Sequence, residues 1–229
     1  MRSTRSLARL AGLLYLLVSI PGFYGLMYVP SKLIVHGDAA ATSRSLLASE
    51  AFFRSGIVAD LVGQALFIPV ALVLYRLLKG SGAMAAALMV ILLVVQIPLA
   101  FVAEAHHLDA LRILDAAGPG RALGEAQRDA LAMLALESYS SVMQVSEIFM
   151  GLWLFPLGWL VYRAGFLPRW LGFSLFVAGG AYLADSLAYL LSPSHAQAIG
   201  AIASRLRAIE LVTPLWLLIM GAKDQPITP

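Results

Sequence analysis

No cysteine occurs in the 229 residues, which removes disulfides, thiolate metal sites and cysteine nucleophiles together and leaves the redox compartment open. Charge is scarce as well. Only 13% of the residues are Asp, Glu, Lys or Arg against 60% apolar, and the mean hydropathy is strongly positive. That balance excludes a soluble domain and a disordered chain. The sequence holds no Gly-x-x-x-x-Gly-Lys-Ser/Thr loop, dinucleotide fingerprint, Gly-x-Ser-x-Gly elbow or His-Glu-x-x-His pair. Nucleotide chemistry, serine hydrolysis and zincin chemistry therefore have no signature. No lysine falls in the middle of an apolar run, which disfavours a retinal-type Schiff base. The formal charge of +3 comes without a basic cluster, so no nucleic-acid partner is expected, and no cofactor is implied.

What the chain does have is six long apolar runs, at about 7–28, 56–78, 83–106, 131–163, 167–190 and 199–222. Each is long enough to cross a bilayer as a helix. The short alternating segments of a transmembrane barrel are missing. The expectation is an all-α polytopic membrane protein, with residues 1–229 forming a single membrane domain built as a six-transmembrane-helix bundle in contact with membrane lipids. An oligomer is compatible with this. The first run follows Met1-Arg2-Ser3-Thr4-Arg5 and continues to Tyr28 with no small-x-small cleavage site after it, so it reads as an anchor rather than a removed signal.

Basic residues set the expected orientation. Arg2, Arg5, Arg9, Arg76, Lys79, Arg163, Arg169 and Lys223 balance those of the opposite side by count. They are denser, though, in the short turns and before the first span, which places both termini in the cytoplasm. Tyr75, Trp159, Tyr162 and Trp170 fit an aromatic belt at that interface. On the outer side, Asp38 followed by Ala39-Ala40-Ala41-Thr42 and by Leu46, Leu47, Phe52 and Phe53 reads as a capped amphipathic helix with Arg44, Ser45, Ser49 and Glu50 on its polar face.

Depth is the most informative pattern. Asp60 is sixteen residues from Arg76, Glu147 sixteen from Arg163, Asp185 sixteen from Arg169 and Arg207 sixteen from Lys223. Sixteen residues of helix span about 24 Å, which puts all four charges at one level in the far third of a bilayer. A charge there is costly and marks a functional-site candidate. Asp60, Glu147 and Arg205 each precede a proline by nine residues (Pro69, Pro156, Pro214), and two of those prolines run on to Tyr75-Arg76 and Tyr162-Arg163. This resembles a repeated helical hairpin.

Polar stripes surround this layer. Glu137, Ser140 or Ser141, Gln144, Glu147 and Gly151 recur every three or four residues, as do Tyr182, Asp185, Ser186 and Tyr189, and such spacing lines one helix face. Asp60 and Gln64 make a shorter stripe, Gln96 lies near the same level, and Arg207 and Glu210 are three apart and able to pair. The expected ligand-binding set is Asp60, Gln64, Gln96, Gln144, Glu147, Tyr182, Asp185, Arg207 and Glu210, converging on an outward-opening polar cavity. A buried ion pair that only fixes helix register is the competing expectation, and a proton relay is a third. For metal, Glu104, His106 and His107 are the candidates. Adjacent histidines point about 100° apart on a helix, so Glu104 with His107 or His106 with Asp109 supplies two ligands at most, and an interfacial histidine pair is expected instead. Gly179-Gly180 between Ala178 and Ala181 reads as a close helix contact.

Two stretches carry a family resemblance. Ala8-Arg9-Leu10-Ala11-Gly12-Leu13-Leu14-Tyr15 with His36-Gly37-Asp38-Ala39-Ala40-Ala41-Thr42 resembles the opening of the bacterial membrane proteins catalogued as domain of unknown function 4386. The stretch Leu160-Val161-Tyr162-Arg163-Ala164-Gly165-Phe166-Leu167-Pro168-Arg169-Trp170 is similar to that family's most recognisable segment. The resemblance implies a multi-span protein of the bacterial plasma membrane and supplies no catalytic residues. A small or amphiphilic ligand, bound or transported, is the expected function. An intramembrane, metal-dependent hydrolase and a non-catalytic accessory subunit are the alternatives, and binding is expected ahead of catalysis.

Overall fold

A computed structural model describes residues 3–223; Arg2 and residues 224–229, expected in the cytoplasm, lie outside the described residues. Every regular element among the described residues is helical. In chain order these are α1 (Thr4–Gly22), a π turn (Phe23–Tyr28), α2 (Val29–Leu33), α3 (Ala39–Ala48), α4 (Glu50–Leu78), α5 (Ala83–Leu114), α6 (Glu125–Arg163), α7 (Arg169–Leu191), α8 (Pro193–Arg207) and α9 (Val212–Ile219). Short 3-10 turns cover Lys79–Ser81, Pro119–Ala122 and Ala208–Leu211.

Five segments are long and apolar enough to cross a membrane: Thr4–Leu33, Glu50–Ser81, Ala83–Leu114, Glu125–Arg163 and Arg169–Leu191. Large apolar side chains such as Leu72, Ile91, Val102, Phe173 and Val177 are exposed on their surfaces, as lipid contact allows and water does not. This is a multi-pass membrane protein. The run expected at 199–222 is not among the five, because it is broken into α8, the turn Ala208–Leu211 and α9. Pro214 explains the break. It has no N–H, and its ring would collide with the carbonyl four residues back, that of Glu210. The chain tightens there and restarts with Pro214 inside the first turn of α9, where a missing donor costs nothing. Pro69, Pro98 and Pro156 lie within helices that continue past them, whereas Pro21 is separated from the π turn only by Gly22.

α3 begins as expected, with the Asp38 carboxylate accepting from the Ala41 N–H at 2.8 Å, a standard N-cap. It stops at Ser49, so Glu50, Phe52 and Phe53 belong to α4. α5 and α6 continue beyond the apolar runs, α5 on to Leu114 and α6 back to Glu125.

The chain divides into two compact units. The first comprises Met1–Val18, Leu66–Ile97 and Gln144–Pro229. Its core is built on Leu74, Met89, Trp153, Leu157, Leu160 and Leu171. Here α6 and α7 touch backbone to backbone. A Cβ on Gly158 would stand 2.9 Å from Gly172 O and one on Gly172 2.6 Å from Gly158 O, while Gly151 and Gly179 repeat the contact at 2.9 Å in both directions. The two contacts are seven residues apart on each helix, two turns along the same face. α7 also packs on α8, on the turn Ala208–Leu211 and on α9. Gly12 of α1 admits α9 equally closely, 2.6 Å from its Cβ position to Pro214 O. The second unit comprises Ser19–Ala65 and Pro98–Met143, around Leu46, Phe53, Ile57, Leu111 and Leu136. In it the π turn brings Gly25 against α4, its Cβ position 2.6 Å from Gly56 O and 3.0 Å from Asp60 N.

Candidate functional site

Three helices and the broken segment of the first unit bring their charges together. Gly151 and Gly179 lock α6 to α7, which places Glu147, one turn before Gly151, beside Asp185, under two turns beyond Gly179. Arg207, the last residue of α8, donates from Nη1 to Glu147 Oε2 at 2.6 Å and lies 3.2 Å from Asp185 Oδ2. Its guanidinium also lies over the Tyr182 ring, 5.1 Å from the centroid. Gly200 of α8 leaves room for Asp185: a Cβ there would sit 2.9 Å from Asp185 Oδ1. About a fifth of the Arg207 and Glu147 side chains remains accessible, 21% and 23%, against 7% for Asp185.

Glu210 departs from its expected partner. A regular helix would set it beside Arg207, but the 3-10 turn redirects it, and its carboxylate accepts from the Tyr15 hydroxyl of α1 with Tyr182 as a second hydroxyl partner. Tyr15 in turn packs on Trp153, ring centroids 5.8 Å apart. Two carboxyl groups therefore contact the Arg207 guanidinium, and a third, that of Glu210, lies within its electrostatic reach while bonded to the tyrosines. Ser186 follows Asp185 directly in α7 and Thr213 follows Glu210 by three residues, and Ser186 Oγ and Thr213 Oγ1 are buried without a hydrogen-bond partner. Such orphaned atoms are rare in folded proteins and call for an explanation. Gln144 is half-buried and Gln96 buried in the same unit.

Asp60 and Gln64 belong to the second unit. There Gln64 Nε2 donates to Asp60 Oδ1 at 3.2 Å, the Asp60 and Glu104 carboxyls meet, and no donor reaches Asp60 Oδ2. Glu104 Oε2 lies 2.8 Å from His107 Nδ1. The His107 ring stacks on Tyr139 with centroids 3.7 Å apart and meets Phe53 edge-on. Asp60, Gln64, Glu104 and His107 are all buried. His106 points away, partly exposed and 3.9 Å from Asp109, as the 100° step between neighbours requires. Both clusters adjoin departures from regular α-helix, the π turn next to Asp60 and the 3-10 turn bearing Glu210. Such departures are frequent at functional sites.

Sequence reasoning missed Tyr15 and Tyr139. Tyr15 is an isolated tyrosine in an apolar run, ten residues rather than sixteen from Arg5, so counting depth does not single it out. Tyr139 lies off the polar stripe of α6.

Among the described residues, no group of three or more His, Cys, Asp or Glu side chains is placed to hold a metal ion. Protein purified without added metal is expected to contain far less than one zinc per chain by elemental analysis. Stoichiometric zinc that disappears in His107→Ala would contradict this.

The family model described as Domain of unknown function (DUF4386) matches residues 10–221. An uncharacterized protein of Archaeoglobus fulgidus is 36% identical over 88 residues, covering 38% of this chain. The chain matches about half of that relative's length, 51%. No solved structure matches.

Proposed function

This chain belongs to the DUF4386 family, and we propose that it binds, and passes or holds, a small cationic or amphiphilic ligand at the Glu147–Asp185–Arg207–Glu210 cluster. The observation that carries this reading is the charge imbalance: two carboxyls contact one guanidinium at a helix break, a third, Glu210, lies within its electrostatic reach, and the buried hydroxyls of Ser186, next to Asp185 in the chain, and Thr213, three residues after Glu210, lack partners. A ligand with an amine would complement that set, since an uncompensated buried carboxylate is costly. Broken helices at intramembrane binding sites serve the same end in transporters.

The same proposal includes a sixth crossing made by α8 and α9. Residues 193–219 would extend about 40 Å as helix, enough to span. An even number of crossings leaves both termini on one side, taken as the cytoplasm of a bacterium, with the cluster open to the outer side. Reporter fusions at Lys79 and Arg163 are expected to read as cytoplasmic and fusions near Gly118 as external. The reverse pattern would invert the site.

Melting of the detergent-solubilised protein against a panel of primary and quaternary amines tests the binding itself. At least one amine is expected to raise the melting temperature of the parent, and Asp185→Asn should keep the fold while losing that response. A panel without effect on the parent would rule out a cationic ligand. A second reading rests on the same geometry. Arg207 bonded to Glu147 and Asp185 is already a tie between three helices, which suffices for a non-catalytic subunit whose cluster only fixes register.

A further inference from the structure

The buried cluster of the second unit has acids but no cation to balance them. Asp60 and Gln64 of α4, Glu104 and His107 of α5 and Tyr139 of α6 act on one another, and among the described residues no lysine or arginine acts on the two carboxyls, the imidazole or the phenol. The π turn meets Asp60 through Gly25, and Phe53 meets His107 edge-on. Neither can titrate.

The Asp60 and Glu104 carboxyls lie within hydrogen-bonding reach of each other, and such a pair can bond only when one member carries a proton, because a carboxylate is an acceptor alone. Asp60 Oδ2 is buried and has no partner; a proton on it supplies the donor toward Glu104. Glu104 Oε2, 2.8 Å from His107 Nδ1, is placed to share a second proton with the imidazole. The Tyr139 hydroxyl faces Glu104 without completing a hydrogen bond. With two carboxyls and no cation, two protons bring the set to neutrality, the state that burial favours. His107 is the end of the cluster nearer water, since α5 carries the partly exposed His106 and Asp109 beside it and the exposed Arg112 beyond.

We propose that this cluster is a proton-binding site, in which Asp60 holds one proton against Glu104 and Glu104 holds a second that exchanges with water through His107. In the outward step the Glu104 O–H bond breaks and the proton joins His107 Nδ1, while the imidazolium so formed gives its Nε2 proton to water. Glu104 is left as a carboxylate accepting from the Nδ1–H, and uptake reverses each step.

Infrared difference spectroscopy of the full-length protein in detergent tests this. The carbonyl stretch of a protonated carboxyl lies apart from the carboxylate bands, and Asp60→Asn and Glu104→Gln are each expected to remove one such band from the parent spectrum. The band lost in Glu104→Gln should shift when the parent is moved into heavy water, as its proton is replaced by a deuteron. In His107→Gln that shift should slow roughly 100-fold, the low end of what a positioned proton-transfer group contributes, whereas His106→Gln should exchange like the parent. The comparisons at Asp60 and Glu104 need no change at His107, so they stand even if His107→Gln does not fold. Loss of no band in either carboxyl variant would show both groups ionised and overturn the proposal. A Glu104 band that never shifts in the parent would overturn the exchange, and equal rates in His107→Gln and the parent would overturn the route.

Discussion

Replacing Arg207 by leucine is expected to lower stability by about 3 kcal/mol, the low end for breaking a buried ion pair, because a fifth of the side chain still meets solvent. The change removes the cation held between Glu147 and Asp185 and leaves both carboxylates without it. Restoring balance should recover most of the loss. Arg207→Leu combined with Asp185→Leu leaves one stranded carboxylate and recovers part of it; the triple variant that adds Glu147→Leu approaches the parent, since replacing a whole buried ionic set by apolar residues is often neutral. Chemical denaturation or thermal melting in one detergent ranks the four proteins. A triple variant less stable than Arg207→Leu would show that the three side chains act independently.

The second large effect belongs to the α6–α7 contact that holds Glu147 near Asp185. Gly172→Leu is expected to cost about 3 kcal/mol or more, since overpacking typically costs 1–3 and here the new atoms would meet backbone rather than a movable side chain. Gly179→Leu faces the same obstacle at Gly151 O. Its neighbour is the control. Nothing lies within 4 Å of a Cβ on Gly180, and replacing a helical glycine with leucine gains up to about 1 kcal/mol of helix propensity. Gly180→Leu should therefore melt at or above the parent, while Gly179→Leu melts well below it. Equal behaviour of the two variants would mean that the helices do not approach as closely as the glycines allow.

These residues also show how far the sequence reaches. Distance from a basic helix end measures depth, because lysine and arginine are held at the interface, and that one coordinate was enough to associate Glu147, Asp185 and Arg207. It says nothing of rotation about the helix axis or of neighbours. Asp60 has the same depth by count yet belongs to the second unit with Gln64, Glu104 and His107, and its counterpart in the sequence repeat, Glu147, lies in the first. The pairing of Glu104 with His107 followed from a three-residue spacing, since such neighbours meet on any α-helix. Arg207 and Glu210 have that spacing too, but Pro214 turned the intervening backbone into a 3-10 turn and gave Glu210 to two tyrosines. Proline at that position was visible; which carbonyl would yield, and into which turn, depends on tertiary packing. The division into two units left no trace, because apolar composition is nearly uniform along the spans.

Most direct for the proposed site is a density map of the full-length protein purified in its native lipids, resolved well enough to see side chains around Arg207. The account predicts non-protein density against the carboxyls of Asp185 and Glu210, within hydrogen-bonding reach of Ser186 Oγ or Thr213 Oγ1, and its loss in Asp185→Asn. A map in which those groups close on one another and on Arg207, with no room for a further molecule and no change in the variant, would contradict it and leave the cluster as a tie between helices.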